Sequence, residues 1–186
     1  MPNMTILSPK NKWEMADMVR FAVAHDGPAA LRYPRGTVYT GYEEFRSEIV
    51  YGKSEMIYEE KDIAILSVGH MFEEAVKARE SFREKGFSCS LVNMRFVKPI
   101  DEEMVVRLSK NHRLLAVVEE NVQPGGCGER VMAFASGGNL PVKVLPIAIP
   151  DTYVEHGSIG KLRAKTGIDS GSIVEKILQA YQELAV

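Results

Sequence analysis

The chain reads as an α/β protein built on a mostly parallel sheet with helices on both faces. Two observations predict this class. First, near-continuous apolar runs of strand length recur, as in Ile63-Ala64-Ile65-Leu66 and Leu114-Leu115-Ala116-Val117-Val118, the pattern of strands covered on both sides. Second, these runs alternate with segments of helical spacing from residue 62 onward, and strand–helix alternation calls for right-handed crossovers in a parallel sheet. At 186 residues, 45% hydrophobic and 26% charged, the composition is that of a globular protein. A chain of this size buries about 70% of its unfolded surface.

Each element follows from local signals. Met4 to Leu7 is strand-like. Asn11 reads as a helix N-cap with Glu14 as its capping-box partner. The helix reaches about Ala24 with Met15, Met18, Val19 and Ala22 on its apolar face, and His25-Asp26-Gly27-Pro28 ends it. Pro28 to Leu31 is a short buried strand. Residues 36–61 form a polar connector in which Ser54 to Tyr58 is a candidate strand. Strands then follow at Asp62–Gly69, Ser88–Asn93, Leu114–Val118 and Val142–Ile147. Helices are expected at Met71–Lys85, from Asp101 to about Lys110, at Glu129–Ala135, Ser158–Thr166 and Ser170–Leu184. In Lys98-Pro99-Ile100-Asp101, Pro99 stops an extended segment and Asp101 caps the next helix.

Bulk properties exclude several classes. A net charge of −2 offers no electrostatic footprint for nucleic acid. No apolar run approaches the roughly 20 residues of a membrane span, and no secretory signal opens the chain. Cys89 and Cys127 are the only cysteines, expected unpaired in a reducing compartment, so a cytoplasmic location is expected. Neither they nor the four His show metal-ligand spacing.

The most informative segment is Arg32-Tyr33-Pro34-Arg35-Gly36. Two guanidiniums stand where a strand ends, which is where open α/β sheets place ligands. Pro34 fixes the backbone between them and Gly36 permits a sharp turn. A guanidinium fork suits phosphate. Chemistry alone leaves this reading level with an ordinary surface Arg pair. Other candidates favour structural roles. Gly125-Gly126-Cys127-Gly128 precedes a helix but matches neither the phosphate-loop nor the dinucleotide fingerprint, which disfavours a small nucleotide-binding protein. Glu119 and Glu120 end a strand on opposite faces, so one is expected to pair with an Arg or cap a helix rather than form a catalytic pair. His70 and His156 are read as polar surface or interface residues.

The RYPRG segment, Met94-Arg95-Phe96-Val97-Lys98-Pro99-Ile100-Asp101, Val118-Glu119-Glu120-Asn121, the glycine loop, Ile149-Pro150-Asp151 and the opening Met4-Thr5-Ile6-Leu7-Ser8-Pro9 together resemble the 1-deoxy-D-xylulose-5-phosphate synthase family of the transketolase superfamily. The resemblance covers essentially the whole chain but only that family's C-terminal portion. It implies that residues 1–35 are the last β-α-β unit of a pyrimidine-binding domain. Residues 36–61 become a connector with an edge strand, and residues 62–186 a three-layer transketolase C-terminal-type domain. That domain has five strands, one of them an antiparallel edge at Ser54–Tyr58. It further implies that Arg35, supported by Arg32 and Tyr33, binds the phosphate of glyceraldehyde 3-phosphate; for Arg32 a structural role at the strand end or at a domain contact is the preferred reading. Thiamine diphosphate and Mg²⁺ belong to the full-length enzyme. No Gly-Asp-Gly occurs here, and the activating Glu and the catalytic histidines lie upstream of Met1 in family order. This chain is therefore expected to hold no catalytic residue, cofactor or metal, and to be inactive alone. Its expected partners are the remaining enzyme domains and a second copy in a homodimer. The first 35 residues are expected to pack on the C-terminal domain or on another copy. The runner-up is an assembly module of a transketolase or of a 2-oxo acid dehydrogenase beta subunit; those subunits usually lack the Phe-Val-Lys stretch present at Phe96-Val97-Lys98.

Overall fold

The computed structural model describes residues 1–185. The chain opens with β1 (Thr5–Leu7), α1 (Lys12–Ala24) and β2 (Ala29–Leu31), in which the two strands pair in parallel. The main sheet follows: β3 (Glu55–Tyr58), β4 (Asp62–Ser67), α2 (Phe72–Glu84) and β5 (Cys89–Asn93). A short strand, β6 (Phe96–Lys98), precedes α3 (Glu102–Ser109), β7 (His112–Val122), α4 (Cys127–Gly137) and β8 (Lys143–Ile149). Helices α5 (Ile159–Thr166) and α6 (Ser170–Gln182) complete it. The five-stranded sheet has the order β3-β5-β4-β7-β8, with β3 antiparallel at the edge and the other four parallel. This is the mostly parallel sheet with one antiparallel edge that the sequence and its resemblance call for.

Alternation along β4 builds two cores. Ile63 and Ile65 point to one face, where Phe72 and Phe82 of α2 meet Ile173 and Ile177 of α6. Ala64 and Leu66 point to the other, against Val105 and Leu108 of α3 and Val131 of α4. Successive strand residues face opposite sides, so every central position is buried and the run reads as unbroken apolar sequence. Among the described residues no helix is long and apolar enough to cross a membrane.

The second sheet, β2-β1-β6, attaches the opening unit to the rest. β6 pairs antiparallel with β1, and Ser8 N donates to Arg95 O at 2.8 Å. Leu7, Met18, Ile49 and Phe96 form a small core between them. The sequence identified 96–98 only as an extended segment; its partner is distant in the chain. The expected apolar face of α1 is corrected here. Met18 is fully buried, but Val19 is 46% exposed, because one residue turns the helix by about 100° and only Met18's face meets Phe96.

Beneath this junction lies a buried ionic cluster. Lys10 Nζ reaches Glu14 at 3.2 Å and Glu55 at 2.5 Å; Arg95 reaches the same two carboxylates, each at 2.8 Å. Asn93 Nδ2 adds a bond to Glu14 at 2.8 Å. Asn11 caps α1 as expected, accepting from Glu14 N, but Glu14 does not close a capping box: its carboxylate takes Lys10 N at 2.6 Å and turns into the cluster. Burial opposes ionisation of Glu55, yet Arg95 and Lys10 outweigh it and hold its carboxyl below the ordinary value. Arg95 sits at φ 56°, a left-handed backbone that a long side chain adopts only under constraint, and its two carboxylates supply that constraint. Two cations against two anions leave no net buried charge.

Removing one partner of such a cluster leaves an uncompensated buried charge, at a cost of about 3–5 kcal/mol. Arg95→Met is expected to lower stability by that amount in urea denaturation. It is also expected to make residues 1–31 the first region cut in limited proteolysis; unchanged stability would show the cluster to be incidental.

Candidate functional site

The strands of both sheets deliver their carboxyl ends to one cavity of about 500 Å³. β2 ends at Leu31, and Arg32 and Arg35 follow it onto the wall. β4 ends before a 3-10 turn, Gly69–Met71, which carries His70. β7 runs past the sheet to present Glu120, and α5 supplies Arg163.

Local backbone bonds fix Arg32. Its N–H donates to Leu7 O at 2.8 Å, and Ser8 Oγ donates to its carbonyl at 3.2 Å. Gly69 lies at φ 57°, where a Cβ would stand 2.0 Å from Ser8 Oγ. Only glycine allows the two sheets to approach so closely here.

Glu120 organises a second group of lining residues. Its Oε2 accepts from Arg163 Nη2 at 2.8 Å and also bonds His70 Nε2. The His70 hydrogen bond holds the Glu120 carboxyl down at about 2, against desolvation and with help from Arg163. Arg163 is steadied from behind by Glu74 at 3.6 Å, which itself takes Ser170 N at 2.9 Å. Glu73, on the rim, pairs with Lys77 at 2.9 Å. Among the described residues Arg32 and Arg35 have no carboxylate partner, and Arg35 and Tyr33 are exposed. The cavity therefore has an anion-seeking side formed by Arg32 and Arg35, and a side where charges already compensate one another.

Glu119 and Glu120 diverge as adjacent strand residues should. Glu119 is 1% exposed and accepts from Gly128 N at 2.8 Å, so it caps α4 from inside. A Cβ on Gly126 would stand 2.4 Å from Glu119 Oε1, which accounts for glycine at that turn. The glycine loop is thus a tight strand-to-helix connection in which the N–H groups of Gly125, Gly126 and Gly128 are filled internally. Cys127 and Cys89 are free and buried, and burial pushes each thiol up to about 12. His156 is exposed in the loop before α5 and stands outside the cavity. Among the described residues no group of three His, Cys, Asp or Glu could hold a metal.

The sequence found Arg32, Tyr33 and Arg35 as a strand-end group but did not join His70, Glu120 and Arg163 to them. One signal was available: Gly69-His70 and Glu119-Glu120 each follow a strand, and neighbouring parallel strands bring their carboxyl ends together.

These features define a class. The model for the transketolase C-terminal domain matches residues 52–173, and the chain belongs to that family. Its curated relatives are more particular. It is 45% identical over 178 residues to the 1-deoxy-D-xylulose-5-phosphate synthase of Lachnoclostridium phytofermentans, covering 95% of this chain and 28% of that enzyme. It is 36% identical to the same enzyme of Caldanaerobacter subterraneus subsp. tengcongensis, covering 98% of this chain and 29% of the enzyme. The chain thus spans less than a third of the length of these relatives. Among solved structures, a split-gene transketolase described as an inactive β4 tetramer superposes with a TM-score of 0.89 at 25% identity, over 98% of this chain and 58% of that one. Transketolase from Campylobacter jejuni subsp. jejuni shares the fold, with a TM-score of 0.73 at 17% identity, over 96% of this chain and 26% of its own.

The depressed carboxyl of Glu120 makes an acid prediction. Its value near 2 lies below the ordinary 4.5, so its stabilisation is complete above 4.5 and is lost as pH falls toward 2. Glu120→Gln is expected to cost about 2 kcal/mol at neutral pH, after discounting for partial solvent screening. The gap between variant and wild-type melting temperatures should close progressively in that acid window. A gap that stays constant with pH would exclude the ion-pair explanation.

Proposed function

We propose that this chain is the C-terminal part of a thiamine-diphosphate-dependent 1-deoxy-D-xylulose-5-phosphate synthase. The complete enzyme joins pyruvate to glyceraldehyde 3-phosphate with release of CO₂. In this reading residues 1–35 close the pyrimidine-binding domain, 36–61 connect, and 62–186 form the C-terminal domain. The observation that carries the proposal is the unpaired Arg32/Arg35 side of the cavity, placed at a strand end within a segment that matches the synthase motif. Arg35 takes the phosphate of glyceraldehyde 3-phosphate. Arg32 and Tyr33 support it, with the Arg32 backbone anchored to β1. Anchoring the phosphate orients the aldehyde end, so binding energy remote from the reacting carbon is used for positioning.

Thiamine diphosphate supplies the carbanion chemistry when bound. The described residues do not fit a Mg²⁺–diphosphate site: Glu120 and Glu73 on the cavity wall are already paired, and among the described residues no metal-binding cluster accompanies them. In this proposal the cofactor is held by other domains and the chain alone has no synthase activity. Calorimetric titration of the chain with thiamine diphosphate and Mg²⁺ is expected to show no micromolar binding, and such binding would overturn the reading. The resemblance to an inactive split-gene transketolase tetramer supports the further reading that the chain self-associates, and that in the complete enzyme its contacts serve a homodimer.

In the full-length enzyme Arg35→Ala is expected to lower kcat/KM for glyceraldehyde 3-phosphate about 30- to 150-fold, the value of a charged hydrogen bond of roughly 2–3 kcal/mol. Pyruvate, which carries no phosphate, should bind almost as before. Arg35→Lys should rescue only in part, because a point charge does not reproduce the guanidinium fork. Equal losses for both substrates that track melting temperature would instead assign Arg35 to structure.

A further inference from the structure

One side chain on the cavity wall, the imidazole of His70, can change its hydrogen-bonding character by taking up a proton. His70 stands on the turn that follows β4 and lines the same cavity as the Arg pair. Its Nε2 is bonded to Glu120, whose other partner is Arg163, and this fixes the ring. Among the described residues its Nδ1 makes no hydrogen bond. A neutral imidazole that donates from Nε2 keeps a lone pair on Nδ1, which repels an incoming oxyanion. Protonation turns Nδ1 into a donor while the Nε2 bond to Glu120 persists.

The charges facing the cavity favour this conversion when a dianion enters. Arg32 and Arg35 come from the segment after β2, Arg163 from α5, Glu120 from β7 and Glu73 from α2. Tyr39, from the connector, is neutral, its hydroxyl pushed up by burial and then by Glu73. With Lys77 pairing Glu73 and Glu74 pairing Arg163 behind the lining, four cations stand against three carboxylates and leave one positive charge. A protonated His70 makes it two, the match for a phosphate monoester dianion.

We infer that His70 is a further phosphate ligand, donating through Nδ1 only when its ring is protonated, and so brings the C-terminal domain into the substrate site. This inference rests on the reading of Arg35 as a phosphate ligand and extends it to a residue that the main sheet brings to the same cavity. It makes anion affinity a function of pH through a residue at the end of a main-sheet strand, and it gives the Glu120–Arg163 pair a positioning role, holding the ring in place.

Sulfate tests it, because sulfate remains a dianion at every pH used and any pH dependence must come from the protein. Sulfate affinity of the 186-residue chain would be measured by NMR titration at about pH 5.5 and about pH 8, on either side of the ordinary imidazole value. The wild type is expected to bind roughly tenfold more weakly at the higher pH, the worth of one charge-assisted bond. His70→Gln should bind at both values as weakly as the wild type does at the higher one. The His70 Cε1–H resonance of the wild type, which needs no variant, should show its titration midpoint moving upward on addition of sulfate. Arg35→Ala should lose binding at both pH values. If Arg35→Ala binds like the wild type, the phosphate reading of the cavity fails and this inference falls with it. If Arg35→Ala loses binding while His70→Gln keeps the wild-type pH dependence, or the His70 midpoint does not move, only the role of His70 is overturned. No detectable sulfate binding to the wild type at the lower pH also overturns it.

Discussion

The architecture depends on the buried exchange of charge among Lys10, Glu14, Glu55 and Arg95. The opening β-α-β unit has only a small apolar core, built around Leu7, Met18, Ile49 and Phe96. Such a unit is too small to stand alone. The cluster gives it specificity of attachment. Lys10 comes from its β1–α1 turn and Glu14 from the first turn of α1, Glu55 from the edge strand of the main sheet, and Arg95 from the bend between β5 and β6. A shift of any of these elements leaves a charge without its counter-charge in a dry setting, so the relative position of the two sheets is defined more sharply than hydrophobic contact would define it. The cavity inherits that definition, because Arg32 is hydrogen-bonded to β1 and His70 rides on β4.

Within the cavity, division of labour follows from which charges are already satisfied. Glu120 is committed to His70 and Arg163, and Glu119 is committed to the start of α4. Glu73 is drawn off by Lys77. Arg32 and Arg35 keep their donors available. Two adjacent acidic residues at a strand end thus serve a helix cap and a side-chain anchor, and among the described residues neither is drawn to the Arg32/Arg35 side of the cavity.

Much of this was legible in the sequence where the signal was local. Ile63 to Leu66 and Leu114 to Val118 read as doubly covered strands, and they are the centre of the sheet. Asp101 read as a cap, and it accepts from Met104 N at 3.1 Å. Signals failed where a distant partner decided the outcome. Glu14 looked like a capping-box residue because that motif records only local spacing, and Lys10, Asn93 and Arg95 drew its carboxylate elsewhere. β6 is a strand only because β1 lies beside it. For the candidate site, the RYPRG segment was visible as a strand-end Arg pair. Its union with His70, Glu120 and Arg163 required knowing that β4 and β7 are neighbours, that α5 returns over their ends, and that the small sheet stands alongside.

Gly69 has a consequence of another kind. The gap between it and Ser8 Oγ is too small for a single carbon, and Ser8 Oγ is also bonded to the Arg32 carbonyl. The missing side chain therefore works as a spacer that gauges the width of the cavity. Any substituent there would wedge the turn bearing His70 away from the strand bearing Arg32. The spacing between the turn that carries His70 and the segment that carries Arg32 is set at a position with no side chain of its own.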